Sequence, residues 1–253
     1  MSQDHSKKIT IRYLVLTFAL MGITWGGIFI AQQFGYLTSD SVVFFPLYIA
    51  GGASATIASF VVLTQSGITV KEWLKNVFGF KQKFSHYFIV VFLLACYITL
   101  GYLTNTFKLM MPLSYILLYS LTGIVEGGLE EAGWRYILQA NLEKSMSFCL
   151  ATITTSTVWV LWHFPLFFIN GTAQRSMNFS LFFIFFIGYS FSLAAIRKLT
   201  GSIWLCVLFH SALNAILTVF ALQFRLTETI LISSIVTLIS LFLLKRFDKQ
   251  KVT

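Results

Sequence analysis

The sequence predicts an all-α fold, a polytopic membrane helix bundle with about eight transmembrane helices. Two observations carry this expectation. The first is composition: 57% of the 253 residues are hydrophobic, only 11% are charged, and the mean hydropathy is +0.80. A soluble domain of this length cannot bury so much apolar surface, so a bilayer must solvate the excess. The second is segmentation. The apolar residues gather into runs close to the roughly 20 residues that a helix needs to cross a hydrocarbon core.

The first run, 12–31, follows Lys7, Lys8 and Arg12 in the manner of a signal peptide. Its apolar part is too long for one and no small-residue cleavage site follows, so it is expected to remain as an anchor. Further runs lie near 43–64, 86–106, 148–169, 179–196, 201–222 and 226–244. The fourth, 113–139, is the weak one, because its purely apolar part ends at Val125 and Glu126, Glu130 and Glu131 follow. If it were re-entrant, every later loop would change sides. The longest polar connection, residues 67–84, has two readings. Trp73, Leu74, Val77 and Phe78 recur at helical spacing opposite Lys71 and Lys75, which suits an amphipathic helix on the inner leaflet, and the same residues suit a solvated basic loop. No internal repeat or soluble domain is evident, so the chain reads as a single transmembrane domain over 1–253.

The net charge of +9 comes from basic residues scattered at the ends of apolar runs, a distribution unlike a nucleic-acid surface. With eight spans and a cytoplasmic N-terminus, all but Lys108, Arg175 and Arg225 of the 18 Lys and Arg residues fall on the inner side. That asymmetry places both termini in the cytoplasm and the protein in a plasma membrane of bacterial type. Cys96, Cys149 and Cys206 all lie in apolar segments without a Cys-x-x-Cys pair, so no disulfide framework or thiolate metal site is indicated.

Against this apolar background the ionisable residues stand out. Glu126, Glu130 and Glu131 fall within VEGGLEEAGWRYIL, and charges at membrane depth are costly unless they are paired or hydrated, which makes the cluster a functional candidate. Glu131 and Arg135 are one helical turn apart, within reach of an ion pair. Gly123, Gly127 and Gly128 leave room for a neighbouring helix. Two histidines are also intramembrane: Trp159 and His163 share a stripe, as do His210 and Asn214. Either histidine alone reads as a hydrogen-bonded packing residue; together with the acidic cluster they read as a site. At about 1.5 Å per residue from the inner ends, Glu130 and His210 lie level at roughly 14–15 Å, while His163 comes out at roughly 22 Å, about a turn too far.

Three motifs, EEAGWR (Glu130, Glu131, Arg135), WVLWH (Trp159, His163) and HSALN (His210, Asn214), follow one another on successive membrane segments. In order and spacing they resemble the CAAX protease and bacteriocin-processing family of intramembrane proteases, the Abi family. The likeness covers roughly residues 120–215, within a catalytic core of about 113–222. Trp159 stands where the family usually has Phe.

The resemblance implies an intramembrane endopeptidase that hydrolyses a membrane-embedded or lipidated peptide or protein by a glutamate-activated water. It assigns the general base to Glu130, a water-holding role to His163, oxyanion donors to His210 and Asn214, and to Arg135 the fixing of a glutamate such as Glu131. A divalent metal stays open. Glu131, His163 and His210 would be the ligands of a zinc ion, yet His-Glu-x-x-His is absent and Asn is a poor zinc ligand, so a metal-free water fits at least as well. A non-proteolytic immunity or regulatory scaffold of the same fold is the alternative function. A transporter is disfavoured by the lack of repeats and of paired broken helices.

Overall fold

The computed structural model describes residues 3–248, so Lys249 and Lys251, assigned above to the inner side, lie outside the described residues. The chain is a helical membrane bundle, and each of the eight apolar runs is helical over most of its length. In chain order, α1 (Gln3–Met21) passes through a π-helical turn, Gly22–Gly26, into α2 (Gly27–Gln33). There follow α3 (Phe44–Gly52), α4 (Ser54–Gln65), α5 (Val70–Val77), α6 (Phe84–Leu103) and strand β1 (Phe107–Leu109). The fourth run comprises α7 (Tyr115–Glu126), a 3-10 turn Gly128–Glu130, α8 (Glu131–Gly133), a π-helical stretch Trp134–Gln139 and α9 (Ala140–Leu142). The remainder is α10 (Phe148–Trp162), α11 (Phe179–Thr200), α12 (Ile203–Val219), strand β2 (Phe220–Leu222) and α13 (Leu226–Asp248).

Four helical stretches, Asp4–Gln33, Phe84–Leu103, Phe179–Thr200 and Leu226–Phe247, are long and apolar enough to span alone. The α3–α4 pair, bent by 48° at Ala53, is apolar enough to make a fifth span when counted as one unit, and α10 and α12 are shorter apolar helices. The fourth run is not the continuous helix that periodicity suggests. It breaks at Gly127 and Gly128, where two residues of poor helix propensity meet. The gap lets the chain reset its phase before the π stretch that carries Trp134 and Arg135. β1 and β2 form a short antiparallel ribbon, with Lys108 opposite Ala221, that periodicity did not signal.

The ends of the bundle sort the charges. At one end Lys144 Nζ reaches Ser6 Oγ (2.8 Å), Asn141 Nδ2 donates to Thr10 Oγ1 (3.0 Å) and Lys198 pairs with Glu143 (2.9 Å). At the other end lie the β ribbon and Arg225, which donates to the carbonyls of Thr104 and Asn105. Arg135 belongs to neither end. Sequence reasoning counted it with the inner charges, and the structure buries it completely.

Residues 67–84 hold a helix, as one of the two readings had it, but its apolar face meets protein instead of lipid. Trp73 and Val77 are buried, the Trp73 indole donates to Ser59 Oγ (3.2 Å) and Phe78 packs on Trp204. Thr69 starts α5 with a capping box: its hydroxyl accepts from the Glu72 N–H while its own N–H donates to the Glu72 carboxylate (2.8 Å). Those bonds, the backbone one first, hold the Glu72 carboxyl below the usual carboxylate range.

Candidate active site

The six candidate residues come together around one cavity of about 740 Å³. Glu130, His163, His210 and Asn214 line it, Glu126 does as well, and Glu131 and Arg135 lie behind the wall with no exposure.

Glu130 ends the 3-10 turn that follows Gly127. One carboxylate oxygen, Oε2, accepts from two indoles, Trp159 Nε1 at 2.9 Å and Trp134 Nε1 at 3.2 Å. The second oxygen has no protein donor, and the residue is 5% exposed, towards the cavity. Two fixed donors on one oxygen leave the other in a set direction.

Glu131 points the opposite way. Its Oε1 accepts from His210 Nδ1 at 2.7 Å and its Oε2 lies 3.1 Å from Arg135 Nε. The second contact is an ion pair by distance only, because the N–H is not aligned for a hydrogen bond. Arg135 also donates to Ser190 Oγ (3.0 Å), and its guanidinium stands 5.6 Å from the Trp159 ring centre. A buried charge is tolerable when it is paired and hydrogen-bonded; this network pairs both charges and gives each one hydrogen bond, to Ser190 and from His210, while Arg135 Nη1 has no hydrogen-bond partner among the described residues.

The histidine tautomers follow from their partners. His163 Nδ1 faces the Trp159 carbonyl at 2.9 Å; a carbonyl only accepts, so Nδ1 carries the proton and Nε2 of the neutral ring is an acceptor. His210 Nδ1 donates to the Glu131 carboxylate in the same way, and Nε2 then donates when the ring is the imidazolium counter-ion of Glu131. The Tyr189 hydroxyl shares its proton between the His210 carbonyl (3.0 Å) and Asn214 Oδ1 (3.2 Å), which turns the Asn214 amide nitrogen outward.

The direction of these nitrogens is visible at Gly127. A methyl group placed there would lie 2.9 Å from Asn214 Nδ2 and 3.0 Å from His210 Nε2, so both converge on the same small space. Gly128 permits the approach itself, since a side chain there would meet the Val207 carbonyl at 2.9 Å.

Trp159, one turn before His163 on α10, donates to Glu130, His163 caps that helix, and the cavity borders both Glu130 and His163. Sequence reasoning missed Trp134 and Tyr189. Trp134 lies inside EEAGWR, four residues after Glu130, and that spacing was a usable signal; Tyr189 has none, because it sits in a long aromatic helix.

A zinc site on Glu131, His163 and His210 does not fit. Both Glu131 oxygens are committed to His210 and Arg135, and among the described residues no three His, Cys, Asp or Glu side chains gather as ligands.

Comparison with known proteins extends the likeness carried by the three motifs. Residues 112–216 match the family model described as type II CAAX prenyl endopeptidase Rce1-like. A protein of Methanococcus maripaludis named CAAX prenyl protease 2 is 24% identical over 233 residues, 80% of this chain and 81% of that protein. The residues that surround the cavity are thus set in a multi-pass membrane protein whose core is similar to the CAAX prenyl endopeptidases.

Proposed function

We propose that this chain is an intramembrane endopeptidase that cleaves a peptide bond of a membrane-associated protein or peptide with a water activated by Glu130. The observation that carries the reading is the pairing, across one cavity, of a carboxylate held by two indoles with two side-chain nitrogens converging beside Gly127. A water between Glu130 and His163 Nε2 meets two acceptors, which receive hydrogen bonds from both its O–H groups and leave an oxygen lone pair for attack. Glu130 removes one proton as the hydroxide adds to the scissile carbonyl. The oxyanion that forms accepts hydrogen bonds from Asn214 Nδ2 and His210 Nε2. Glu130 then returns the proton to the departing amine, the C–N bond breaks, and a carboxylic acid and an amine leave.

The pairing supports the same assignment. Glu131 stands between Arg135 and His210, so the second carboxylate of the motif is engaged away from the cavity and Glu130 is the one left facing it. Glu131, itself held by Arg135, acts as a positioning residue that keeps His210 aimed; Glu126, at the rim, takes no part in the chemistry.

The test is Glu130→Gln, which keeps shape but cannot take a proton from water. Comparison of membrane-derived peptides between wild-type and variant cells is expected to show products that vanish in the variant, with protein abundance nearly unchanged. Identical peptide profiles at equal abundance would count against hydrolysis and favour a binding scaffold.

A further inference from the structure

Helix α5 has an inner and an outer side. Trp73 and Val77 turn inward, while Lys71, Leu74 and Lys75 across the helix, and Val70 at its start, are exposed. The segment that follows extends the outer side, with Phe80, Lys81, Lys83 and Phe84 all exposed. Its shape is fixed: Gln82 Nε2 donates to the Gly79 carbonyl at 2.7 Å, and the Tyr87 hydroxyl donates to the Phe80 carbonyl. The four lysines pair with no carboxylate among the described residues. Glu72 is the only acidic residue between positions 41 and 125, and its carboxylate is held by the N–H and the hydroxyl of Thr69, both at 2.8 Å. The outer side thus combines uncompensated positive charge with exposed apolar side chains.

What adjoins this surface indicates its occupant. Phe84, Phe88 and Val91 recur at one-turn spacing on α6 and are 87%, 62% and 60% exposed. That helix, Phe84–Leu103, is long and apolar enough to span alone, so the stripe faces acyl chains. Lys83 directly precedes it, where hydrocarbon gives way to headgroups. Lysine ammonium groups at that level attract anionic lipid, and apolar neighbours enter the acyl boundary.

The inner side of α5 is bonded to the run that carries the site. Trp73 Nε1 donates to Ser59 Oγ (3.2 Å), and the Ser59 hydroxyl donates to the carbonyl of Ala132 (2.6 Å), the neighbour of Glu131. Asn76 Nδ2 donates to the hydroxyl of Tyr136 (2.6 Å), the neighbour of Arg135.

We infer that the outer side of α5, with residues 80–84, binds the headgroups of anionic phospholipids, and that the bound lipid steadies the broken fourth run through Trp73–Ser59–Ala132 and Asn76–Tyr136. An eight-residue helix is too short to hold itself, so its position is set by what it touches on both sides. Any effect of the lipid on turnover rests on the proteolytic reading; binding and steadying do not.

The full-length protein in mixed micelles is titrated with phosphatidylglycerol or with phosphatidylcholine of the same chains, and retained lipid is counted by native mass spectrometry. The wild type is expected to retain phosphatidylglycerol in preference. Combining Lys71→Gln, Lys75→Gln, Lys81→Gln and Lys83→Gln is expected to weaken that retention about tenfold or more, since each basic residue near an anionic surface contributes about fivefold. Arg at the same four positions is expected to restore it. Equal retention of the two lipids by the wild type overturns headgroup binding and leaves a soluble acidic partner as the occupant. Unchanged retention in the Gln variant places the lipid elsewhere and overturns it as well. In nanodiscs, amide hydrogen exchange over residues 128–139 is expected to be several-fold slower with phosphatidylglycerol than with phosphatidylcholine. The difference is expected to vanish in Trp73→Phe combined with Asn76→Ala, which keeps the lysines and the lipid. Exchange that ignores the lipid in the wild type, or that still follows it in the double variant, overturns the steadying. Neither measurement requires turnover, so both decide the inference even if Glu130 hydrolyses nothing.

Discussion

Asn214 illustrates how much a residue's chemistry depends on a neighbour that periodicity does not reveal. An Asn on an apolar helix is an amide of unknown orientation; the Tyr189 hydroxyl at its oxygen fixes which end faces the cavity. If the nitrogen supplies an oxyanion donor, Asn214→Ala is expected to slow turnover by roughly 100-fold with little change in substrate binding, since one preorganised donor is worth about 3 kcal/mol in the transition state. Asn214→Asp is expected to be worse when ionised, because it sets a negative charge against the developing one. Single-turnover measurements separate the cleavage step from binding, and a loss confined to binding would make the residue a recognition element. Trp159 is a second case. In the motif it is a substitution for Phe, and in the fold its indole N–H holds Glu130 while its ring packs on His163, His210 and Tyr189. Trp159→Phe keeps most of the ring and removes the N–H, leaving Trp134 as the remaining donor, so kcat is expected to fall about tenfold or less at unchanged KM for an orientation effect of this size. Trp159→Ala is expected to lose abundance as well, at the cost of about 3–5 kcal/mol typical of an emptied core aromatic. Equal kcat for wild type and Trp159→Phe would remove the hydrogen bond from the account.

At the level of elements, the fourth apolar run carries the site by ceasing to be a regular helix. Its glutamates signalled a functional cluster, and its glycines signalled close approach, both from sequence; the break itself did not, because a 100° periodicity continues through Gly127 on paper. The structural consequence is that α7 and the turn Gly128–Glu130 press on α12, with Gly123 beside the Ser211 backbone and Gly128 beside the Val207 carbonyl. The two central glycines should therefore respond differently. Gly128→Ala drives a methyl against backbone, which cannot yield cheaply, and is expected to destabilise by about 1–3 kcal/mol and lower the amount of folded protein. Gly127→Ala points its methyl at two side-chain nitrogens, so it is expected to leave abundance near normal and reduce turnover at least tenfold by filling the space where they converge. Thermal unfolding in detergent, together with activity per folded molecule, distinguishes the pair. Comparable losses of stability in both would mean that the space beside Gly127 is packing and not a site.

For the whole molecule, composition alone supports the membrane bundle, and the eight apolar runs are each helical over most of their length because an apolar segment satisfies its backbone internally. What sequence could not supply was how the runs cross. Among the described residues only four helices are long enough to span singly, α3 and α4 bend by 48°, and the fourth run is assembled from short helical pieces, because the polar groups it carries are satisfied by neighbouring helices instead of by a uniform ladder. The topology depends on that fourth run. Met110 stands before it, beside the β ribbon, and Ser145 follows it, next to Lys144, which reaches back to Ser6 at the start of α1. A re-entrant run would put both positions on one face; a crossing run puts them on opposite faces, despite the break. Fusions of a periplasm-active phosphatase are therefore expected to be active after Met110 and inactive after Ser145, and a cytoplasm-active fluorescent protein to report the reverse. The same activity at both junctions would make the run re-entrant, and the later loops would then exchange sides, so that Lys198 and Arg246 would lie outside and the charge asymmetry that orients the bundle would be lost.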